Sequence, residues 1–317
     1  MRTVSAIKNI NSTLIVYGFN MVLQFIIRFV LLYYLSIEYL GLNGLFDNIL
    51  TVLSLTELGI GPAIIFSLYA PLANHDLETA KSIMRIFKKA YIYIGTLILF
   101  LGLCISPFVQ HLIKVPPNIA YLNIFFLLFV IDTGISYFYS YKKCLLIADQ
   151  KQYIANYYRG ITQLIGSLFQ IALVILTHSF WVYIILRICM TFCENFLIAR
   201  KANRLYSFLN EKNIQPLNKD IYQSIIRNIK ALILHKIGGV TVFGTSNIIL
   251  SKFVGLSAVA LYTNYYLIIN GIDKLSDQVF NALKASVGNL NESHDDAHKL
   301  VIFKRLEFMT AYLACFI

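Results

Sequence analysis

The sequence predicts an all-α polytopic membrane protein, and three features of the chain lead to that class. Eight stretches of mostly apolar residues follow one another, each close to or above the roughly 20 residues that a helix needs to cross a bilayer. Hydrophobic residues make up 58% of the chain and charged residues only 14%, against about 25% charged residues in soluble proteins. The 27 Lys and Arg residues concentrate in alternate gaps between the stretches, as they do in the loops on one side of a membrane protein.

The apolar stretches define the predicted spans. In chain order these are Thr13–Leu35, Leu45–Leu68, Ala90–Val109, Ile119–Tyr141, Tyr157–Thr177, Phe180–Ala199, Ile229–Phe253 and Val259–Leu283. A ninth stretch begins near Leu306 and runs to Ile317. We therefore expect eight full spans and a partial ninth.

The distribution of basic residues predicts the orientation of these spans. Arg2 and Lys8 precede the first span, and every second gap after it is rich in Lys and Arg, whereas the opposite gaps contain only Lys114 and Lys252. Because basic loops remain in the cytoplasm, we expect a cytoplasmic N-terminus. No small-residue cleavage site follows the first stretch, so we expect no cleavable signal peptide. A net charge of +11 distributed in this way indicates a membrane protein and no nucleic-acid partner.

Two short segments recur at a nearly constant interval and predict an internal repeat. Ile7–Ile10 (IKNI) precedes the first span, and Ile226–Ile229 (IRNI) precedes the seventh, 219 residues later. Gly44–Asn48 (GLFDN) and Ala260–Asn264 (ALYTN) follow the next turns, at a spacing of 216 residues. Transporters are often built from such repeats. We therefore expect two lobes related by an axis along the membrane normal.

This repeat divides the chain into three parts. Residues 1–199 form a six-helix N-terminal lobe, residues 200–228 a cytoplasmic linker, and residues 229–317 the start of a C-terminal lobe. A second lobe of six spans would need more than the two and a fraction that follow the linker, so we expect this lobe to be incomplete.

Polar and charged side chains within the spans are the candidate functional residues, because each is costly in lipid and has to face a partner or a wet cavity. In the first span Asn20, Gln24 and Arg28 recur every fourth residue and share one helix face. In the second span Glu57 precedes Pro62, which predicts a kink or a break there. Glu57 could carry a coupling ion or simply stabilise the broken helix.

The later spans carry the remaining candidates. Asp132 lies alone in the fourth span and is a further candidate for ion coupling. Arg187 in the sixth span either faces a cavity or forms a packing ion pair with Glu194 on the same helix face. In the seventh and eighth spans, Lys236 and Lys274 either face the cavity or extend to the headgroups.

Asp277 aligns with Lys274 in the eighth span and completes the acidic candidates. No cofactor and no metal site is predicted. The chain lacks a Gly-rich nucleotide loop and a Ser/His/Asp set, and its gaps on the outer side are too short to build an acceptor site for a transferase. We therefore expect a protein that is not an enzyme.

Three segments carry a likeness to a known family. They are Tyr39–Phe46 (YLGLNGLF), Leu55–Ile64 (LTELGIGPAI) and Ser67–Ala73 (SLYAPLA), of which the second is the most specific. Together with Ile7–Ile10 and the order of the spans, they resemble the polysaccharide or O-antigen flippases of the Wzx type. These flippases belong to the multidrug/oligosaccharidyl-lipid/polysaccharide exporter superfamily. The resemblance implies two helical lobes around a central cavity.

The resemblance also implies a function in the bacterial plasma membrane. Such a protein moves undecaprenyl-pyrophosphate-linked oligosaccharide repeat units from the inner to the outer leaflet by alternating access, alongside the proteins of polysaccharide assembly. In this chain Arg28, and after it Lys236, Lys274 and Arg187, would offset the diphosphate charge. Neutral amides such as Asn20 and Gln24 would bind sugar hydroxyls.

Three other functions stay open from the sequence. A drug or cation antiporter of the same superfamily would favour a cavity dominated by carboxylates, whereas acids and bases are mixed here. A membrane enzyme of polysaccharide assembly would need a catalytic loop on the outer side. The third possibility is an inactive, truncated remnant of a transporter.

Overall fold

The chain is mostly helical in the part that the computed structural model describes, which comprises residues 2–57, 59–115, 119–211, 215–273 and short pieces between residues 300 and 312. The helices are α1 (Arg2–Tyr34), α2 (Ile37–Leu53), α3 (Ile60–Ala73), α4 (Leu77–Ile105), α5 (Leu122–Ala148), α6 (Gln152–Thr177), α7 (Phe180–Leu205), α8 (Lys219–Gly244) and α9 (Ser246–Phe253). Residues 256–273 are also helical. Short 3-10 turns cover Ser54–Glu57, Ser106–Leu112 and Ser207–Asn210. No strand occurs in these residues.

The chain divides into two compact units. The first is Met1–Asn264 and the second is Tyr265–Ile317. The described residues of the second unit are helical, and its Phe308 and Tyr312 rings stack with their centroids 6.3 Å apart.

Five of the described helices are long and apolar enough to cross a membrane. They are Asn11–Tyr34, Leu77–Leu112, Leu122–Ala148, Gln152–Thr177 and Phe180–Leu205, and they correspond to the predicted first, third, fourth, fifth and sixth spans. Large apolar side chains on their surfaces are exposed, for example Phe29 at 68% and Leu176 at 75%. Such exposed apolar surfaces are typical of helices that face lipid. The chain is thus an all-helical protein of membrane type.

The predicted second span is broken, as Pro62 led us to expect. The axes of the α2 segment and of α3 differ by 47°, and the pair would add a sixth span if it counts as one. Gly59 caps α3 with a positive φ of 74°, a conformation that costs glycine little. Pro62 lies in the first turn of α3, where its missing N–H removes no helical hydrogen bond. The break therefore lies just before the proline.

The predicted seventh span is not one continuous helix. It is divided at Thr245 into α8 and α9. The Thr245 hydroxyl donates to the carbonyl of Thr241 at 2.7 Å, a contact that bends helices. The side-chain amide of Asn48 donates to the carbonyl of Gly244 at 2.9 Å, so a side chain satisfies this carbonyl at the end of α8. The eighth predicted span is helical as far as residue 273, where the described stretch ends.

The first unit contains two apolar cores, one towards each end of α5 and α7. Near the start of both helices, Phe46 of α2 packs against Phe126 and Phe129 of α5, with ring centroids 5.4 and 5.2 Å apart. Near the end of both helices, Phe87 of α4 packs with Leu145 in a second cluster. Polar residues in the middle of α5 and α7 lie between these cores, among them Asp132 and Arg187. The fold therefore places a polar layer between the two apolar cores of the first unit.

Candidate functional site: a polar layer between two apolar cores

Arg187 of α7 is the centre of this polar layer. Its Nε donates to Oδ2 of Asp132 on α5 at 2.9 Å, and its Nη2 donates to Oδ1 of Asp47 on α2 at 2.8 Å. Its Nη1 donates to Oδ1 of Asn43 at 3.1 Å, and the guanidinium lies 4.3 Å from the ring centroid of Phe129. One cation therefore joins three helices. Asp132 is 8% exposed and Asp47 44%, so the contact with Asp132 is the more shielded of these two charge-assisted, geometrically specific bonds.

This network decides between the two alternatives for Arg187, which lines a cavity and does not pair with Glu194. Residues seven apart on a helix are two turns, about 10 Å, from each other. Oε1 of Glu194 lies instead 3.9 Å from Nζ of Lys143 on α5. Asp132, the lone charged residue of the predicted fourth span, accepts from Arg187 of α7. The sequence showed the charges but not which helices would be neighbours.

Arg28 of α1 lies beside this network and contacts a different part of the chain. Its Nη1 donates to Oδ1 of Asn264 at 3.0 Å. Gln24 and Arg28 line a cavity of about 260 Å³ together with Arg187. Asn20 does not line this cavity, and its Oδ1 is buried without a hydrogen-bond partner among the described residues. The predicted stripe on α1 is therefore only partly brought to the site.

Two cavities meet in the polar layer. The smaller one, which we term the Arg187 cavity, is also lined by residues of α2, α5, α6 and α7, namely Asn43, Asp47, Asp132, Gln163, Gln170, Tyr183 and Thr191. The larger one, the Glu57 cavity, has a volume of about 640 Å³. Its polar lining consists of Asp47, Thr51, Ser54, Glu57, Tyr91, Thr133, Ser136, Tyr137, Ser140, Lys143 and Cys144. Asp47 borders both, so the two cavities adjoin.

Glu57 lies in the 3-10 turn at the break between α2 and α3 and is held by two tyrosines. The Tyr91 hydroxyl of α4 donates to its Oε1 at 2.8 Å, and the Tyr137 hydroxyl of α5 approaches its Oε2 at 3.4 Å. The carboxylate thus fastens the broken span to two unbroken helices. This contact agrees with the stabilising role that the sequence left open for Glu57.

The serine and threonine hydroxyls of the Glu57 cavity make the same kind of hydrogen bond. Thr51, Ser54, Thr133, Ser136 and Ser140 each donate to a backbone carbonyl three or four residues earlier in the chain. Their protons are therefore used within their own helices, while their oxygen lone pairs can still accept. A ligand rich in hydroxyl donors would suit this wall.

Three predicted site residues are not placed by the structure. Lys274 and Asp277 lie outside the described residues. Lys236 belongs to α8, but its side chain is outside what the structure describes. The roles of these three residues in the site therefore remain predictions from the sequence.

Two hydrogen bonds that match under the predicted repeat join its two halves. The Asn247 amide donates to Oδ1 of Asn48 at 2.6 Å, and the Arg28 guanidinium donates to Oδ1 of Asn264. The repeat spacing of 216 places Asn264 at the equivalent of Asn48, and the spacing of 219 places Asn247 at the equivalent of Arg28. Under the predicted repeat, each contact is therefore the equivalent of the other.

Glycines bring the same elements into close approach. A Cβ on Gly44 of α2 would lie 2.7 Å from Cγ2 of Thr263, closer than atoms can pack, and a Cβ on Gly41 would meet the carbonyl of Leu256. Asn247 also donates to the carbonyl of Gly44 at 3.1 Å. The helix at residues 256–264 therefore packs directly on the backbone of α2.

The sequence did not indicate two polar residues of the site. Tyr183 donates to Oδ1 of Asn43 at 3.2 Å, and both side chains are buried. In the sequence, only the spacing of Asn43 and Asp47, one turn apart on α2, pointed to Asn43 as a residue of the site. Among the described residues, no group of three or more His, Cys, Asp and Glu side chains could hold a metal ion.

Comparison with known proteins adds no family to this description. No family model, no curated protein and no solved structure matches the chain.

Proposed function

We propose that this chain is a flippase that moves undecaprenyl-pyrophosphate-linked oligosaccharide repeat units across a bacterial plasma membrane. One observation carries the proposal: two adjoining polar cavities lie between the apolar cores of a helical, membrane-type lobe. Polar groups inside a membrane protein are costly and usually line a pathway for a polar substrate. No covalent bond is made or broken in this function.

The lining of the Glu57 cavity suits the oligosaccharide. Its serine and threonine oxygens accept hydrogen bonds but have no free protons, and sugars carry many hydroxyl donors. The partly exposed Tyr137 adds a flat apolar ring face, on which a sugar ring can pack. The volume of about 640 Å³ lies in the range of ordinary small-molecule sites, about 300–1,000 Å³.

Arg28 and Gln24 would bind the diphosphate. Arg187 is less suited to this role than the sequence led us to expect, because Asp47 and Asp132 already compensate its charge. In the described residues Arg28 contacts the neutral amide oxygen of Asn264, so its positive charge has no carboxylate within salt-bridge distance. An arginine in this state can bind a phosphate group strongly.

Alternating access would use the contact between the repeats. Rocking of one lobe against the other around a fixed site is the general mechanism of repeat transporters. The matched Asn48–Asn247 and Arg28–Asn264 contacts are polar and would break as the repeats rock apart, together with the packing of Leu256 and Ala260 in the first apolar core. Arg28 would then exchange Asn264 for the diphosphate during the cycle.

A cation antiporter is the weaker alternative on this geometry. The two carboxylates of the Arg187 cavity are both bonded to Arg187, and a third, Glu57, accepts from Tyr91 and Tyr137. A cation substrate would have to displace these contacts. Of the two remaining alternatives, an enzyme of polysaccharide assembly and an inactive remnant, neither gains support from a described contact.

The test is a transport measurement on the purified full chain in lipid vesicles. Polyprenyl-diphosphate oligosaccharide is placed in the membrane, and its arrival at the far leaflet is followed with an impermeant sugar-binding lectin. We expect transport by the wild type and a rate about tenfold lower in Arg28→Ala, since a charge-assisted contact is worth roughly 1.5–3 kcal/mol. Arg200→Ala, which removes an exposed arginine at the end of α7, is the matched control and should transport normally.

Two results would count against this proposal in different ways. Absence of transport by a folded wild type would contradict the flippase function. Transport by the wild type with an unchanged rate in Arg28→Ala would remove Arg28 from the substrate site while leaving the function in place.

A further inference from the structure

A second concave site lies outside the two central cavities, where the charged first turns of α4 give way to its apolar part. It has a volume of about 450 Å³ and is bordered by α4, α5, the end of α7 and the turn that follows. Its basic side chains are Lys81, Arg85, Lys88 and Lys89 of α4 and Lys142 of α5. We term it the basic pocket.

One of these lysines belongs to the frame of the pocket. Nζ of Lys81 lies 2.7 Å from both Oε1 of Glu78 and Oε2 of Glu211, and its side chain is only 5% exposed. Ser82 donates to the carbonyl of Gln215 at 2.7 Å. These bonds fix the segment after α7 against α4, so the wall of the pocket is built by the fold.

The other four cations have no such partners. Among the described residues no carboxylate lies within salt-bridge distance of Arg85, Lys88, Lys89 or Lys142. Arg187, Lys143 and Lys151 in the same lobe are all paired. Four uncompensated positive charges around one pocket repel each other, and a ligand with more than one negative charge would relieve that repulsion.

After its basic residues in the chain, α4 exposes apolar side chains on its surface. Ile92 borders the pocket and is 43% exposed, and Phe100 and Leu103 are 61% and 59% exposed. These residues follow Lys88 and Lys89 along α4 after about one, three and four helical turns. The distance from Lys89 to Leu103 along the helix is about 21 Å, comparable with the length of a lipid acyl chain. The same face thus offers cations for a headgroup and an apolar stripe for its chains.

We propose that the basic pocket binds the headgroup of a membrane lipid that carries two phosphates. Phosphates would contact Arg85, Lys88, Lys89 and Lys142, while the chains lie along Ile92, Phe100 and Leu103. Basic pockets between membrane helices at headgroup depth bind anionic lipids in this manner. Two lipids have this chemistry: a diphosphatidyl phospholipid of the cardiolipin type and a polyprenyl diphosphate.

The binding measurement uses the purified full chain in detergent. Cardiolipin, undecaprenyl diphosphate, phosphatidylglycerol and inorganic pyrophosphate are titrated separately, and bound lipid is counted by native mass spectrometry. We expect one of the two diphosphate lipids to bind most tightly, which identifies the source. The double variant Lys88→Gln/Lys89→Gln should weaken that lipid on the order of 30-fold, since each basic residue near a membrane surface contributes about 1 kcal/mol.

Two controls separate the pocket from general charge effects. Arg200→Gln/Arg204→Gln removes the same charge from exposed positions at the end of α7 and should bind lipid as the wild type does. Lys88→Arg/Lys89→Arg keeps the charge and should bind as the wild type does, and an unchanged thermal unfolding temperature of Lys88→Gln/Lys89→Gln shows that its loss of binding is not a failure to fold.

Three results would overturn the proposal. They are equal binding of phosphatidylglycerol and the diphosphate lipids, equal loss in the two glutamine double variants, and binding of inorganic pyrophosphate as tight as that of the lipids. None of them depends on transport, so the inference can fail while the flippase proposal stands, and the reverse.

Discussion

The Arg187 network and the basic pocket place positive charges in opposite situations within the first unit. Arg187 is bonded to two carboxylates and an amide from α2 and α5. The cations of the basic pocket other than Lys81 have no carboxylate partner among the described residues. A paired charge inside a membrane protein fixes its helices, whereas a group of unpaired charges is available to a ligand. Arg187 therefore holds helices together, whereas the cations of the basic pocket other than Lys81 are available to a ligand.

The largest effect on stability is expected at Arg187. Replacing it with alanine leaves Asp132, which is 8% exposed, without its cation, whereas Asp47 at 44% exposure can be hydrated. Breaking a buried ion pair from one side costs about 3–5 kcal/mol, and the 26% exposure of Arg187 places the expected cost at the lower end of that range. We expect the thermal unfolding temperature of Arg187→Ala in detergent to fall well below that of the wild type.

The triple variant Asp47→Asn/Asp132→Asn/Arg187→Gln is the control for this effect. It removes all three charges and keeps groups that can form hydrogen bonds, so most of the lost stability should return. If Arg187→Ala unfolded at the wild-type temperature, the network would not hold the helices together and the comparison would fail.

A smaller effect is expected at Glu57, which joins the broken span to α4 and α5. Tyr91→Phe removes the 2.8 Å hydrogen bond to the carboxylate, and a bond to a charged group is worth about 1.5–3 kcal/mol. Tyr137→Phe should cost less, because its contact of 3.4 Å is long for a hydroxyl donor. Chemical unfolding of the two matched variants tests this order, and equal losses would show that the distances do not report the strength of the bonds.

The smallest effect on stability is expected in the basic pocket. Lys88 and Lys89 are exposed and make no salt bridge with a described residue, so Lys88→Gln/Lys89→Gln should change the free energy of unfolding by no more than about 0.5 kcal/mol in lipid-free detergent. Loss of several kcal/mol in this variant would place these lysines in the framework of the fold, together with Arg187, and would remove the contrast between the two regions.

The sequence predicted the helical class and the order of the helices well, because long apolar stretches leave few alternatives. It also located the break before Pro62, since proline acts on its own backbone. It did not predict the division at Thr245. At that division Asn48 donates to the carbonyl of Gly244 from a distant part of the chain.

The candidate site was less predictable, because it too depends on contacts between distant parts of the chain. Arg28, Glu57 and Arg187 could be selected as polar residues in apolar surroundings, but their partners could not. Asp132 and Asp47 reach Arg187 only because α2, α5 and α7 pack together. The basic pocket likewise requires the segment at residues 207–211 to fold back over α4.

The most direct test of the flippase proposal is a crosslink between the two repeats. Cysteines replace Asn48 and Asn247 in a background without the five native cysteines, and a short bis-methanethiosulfonate reagent joins them while oligosaccharide transport is measured in vesicles. If the repeats rock apart during transport, the crosslinked protein should be inactive and regain its rate after reduction. Unchanged transport in the crosslinked protein would contradict alternating access through this contact.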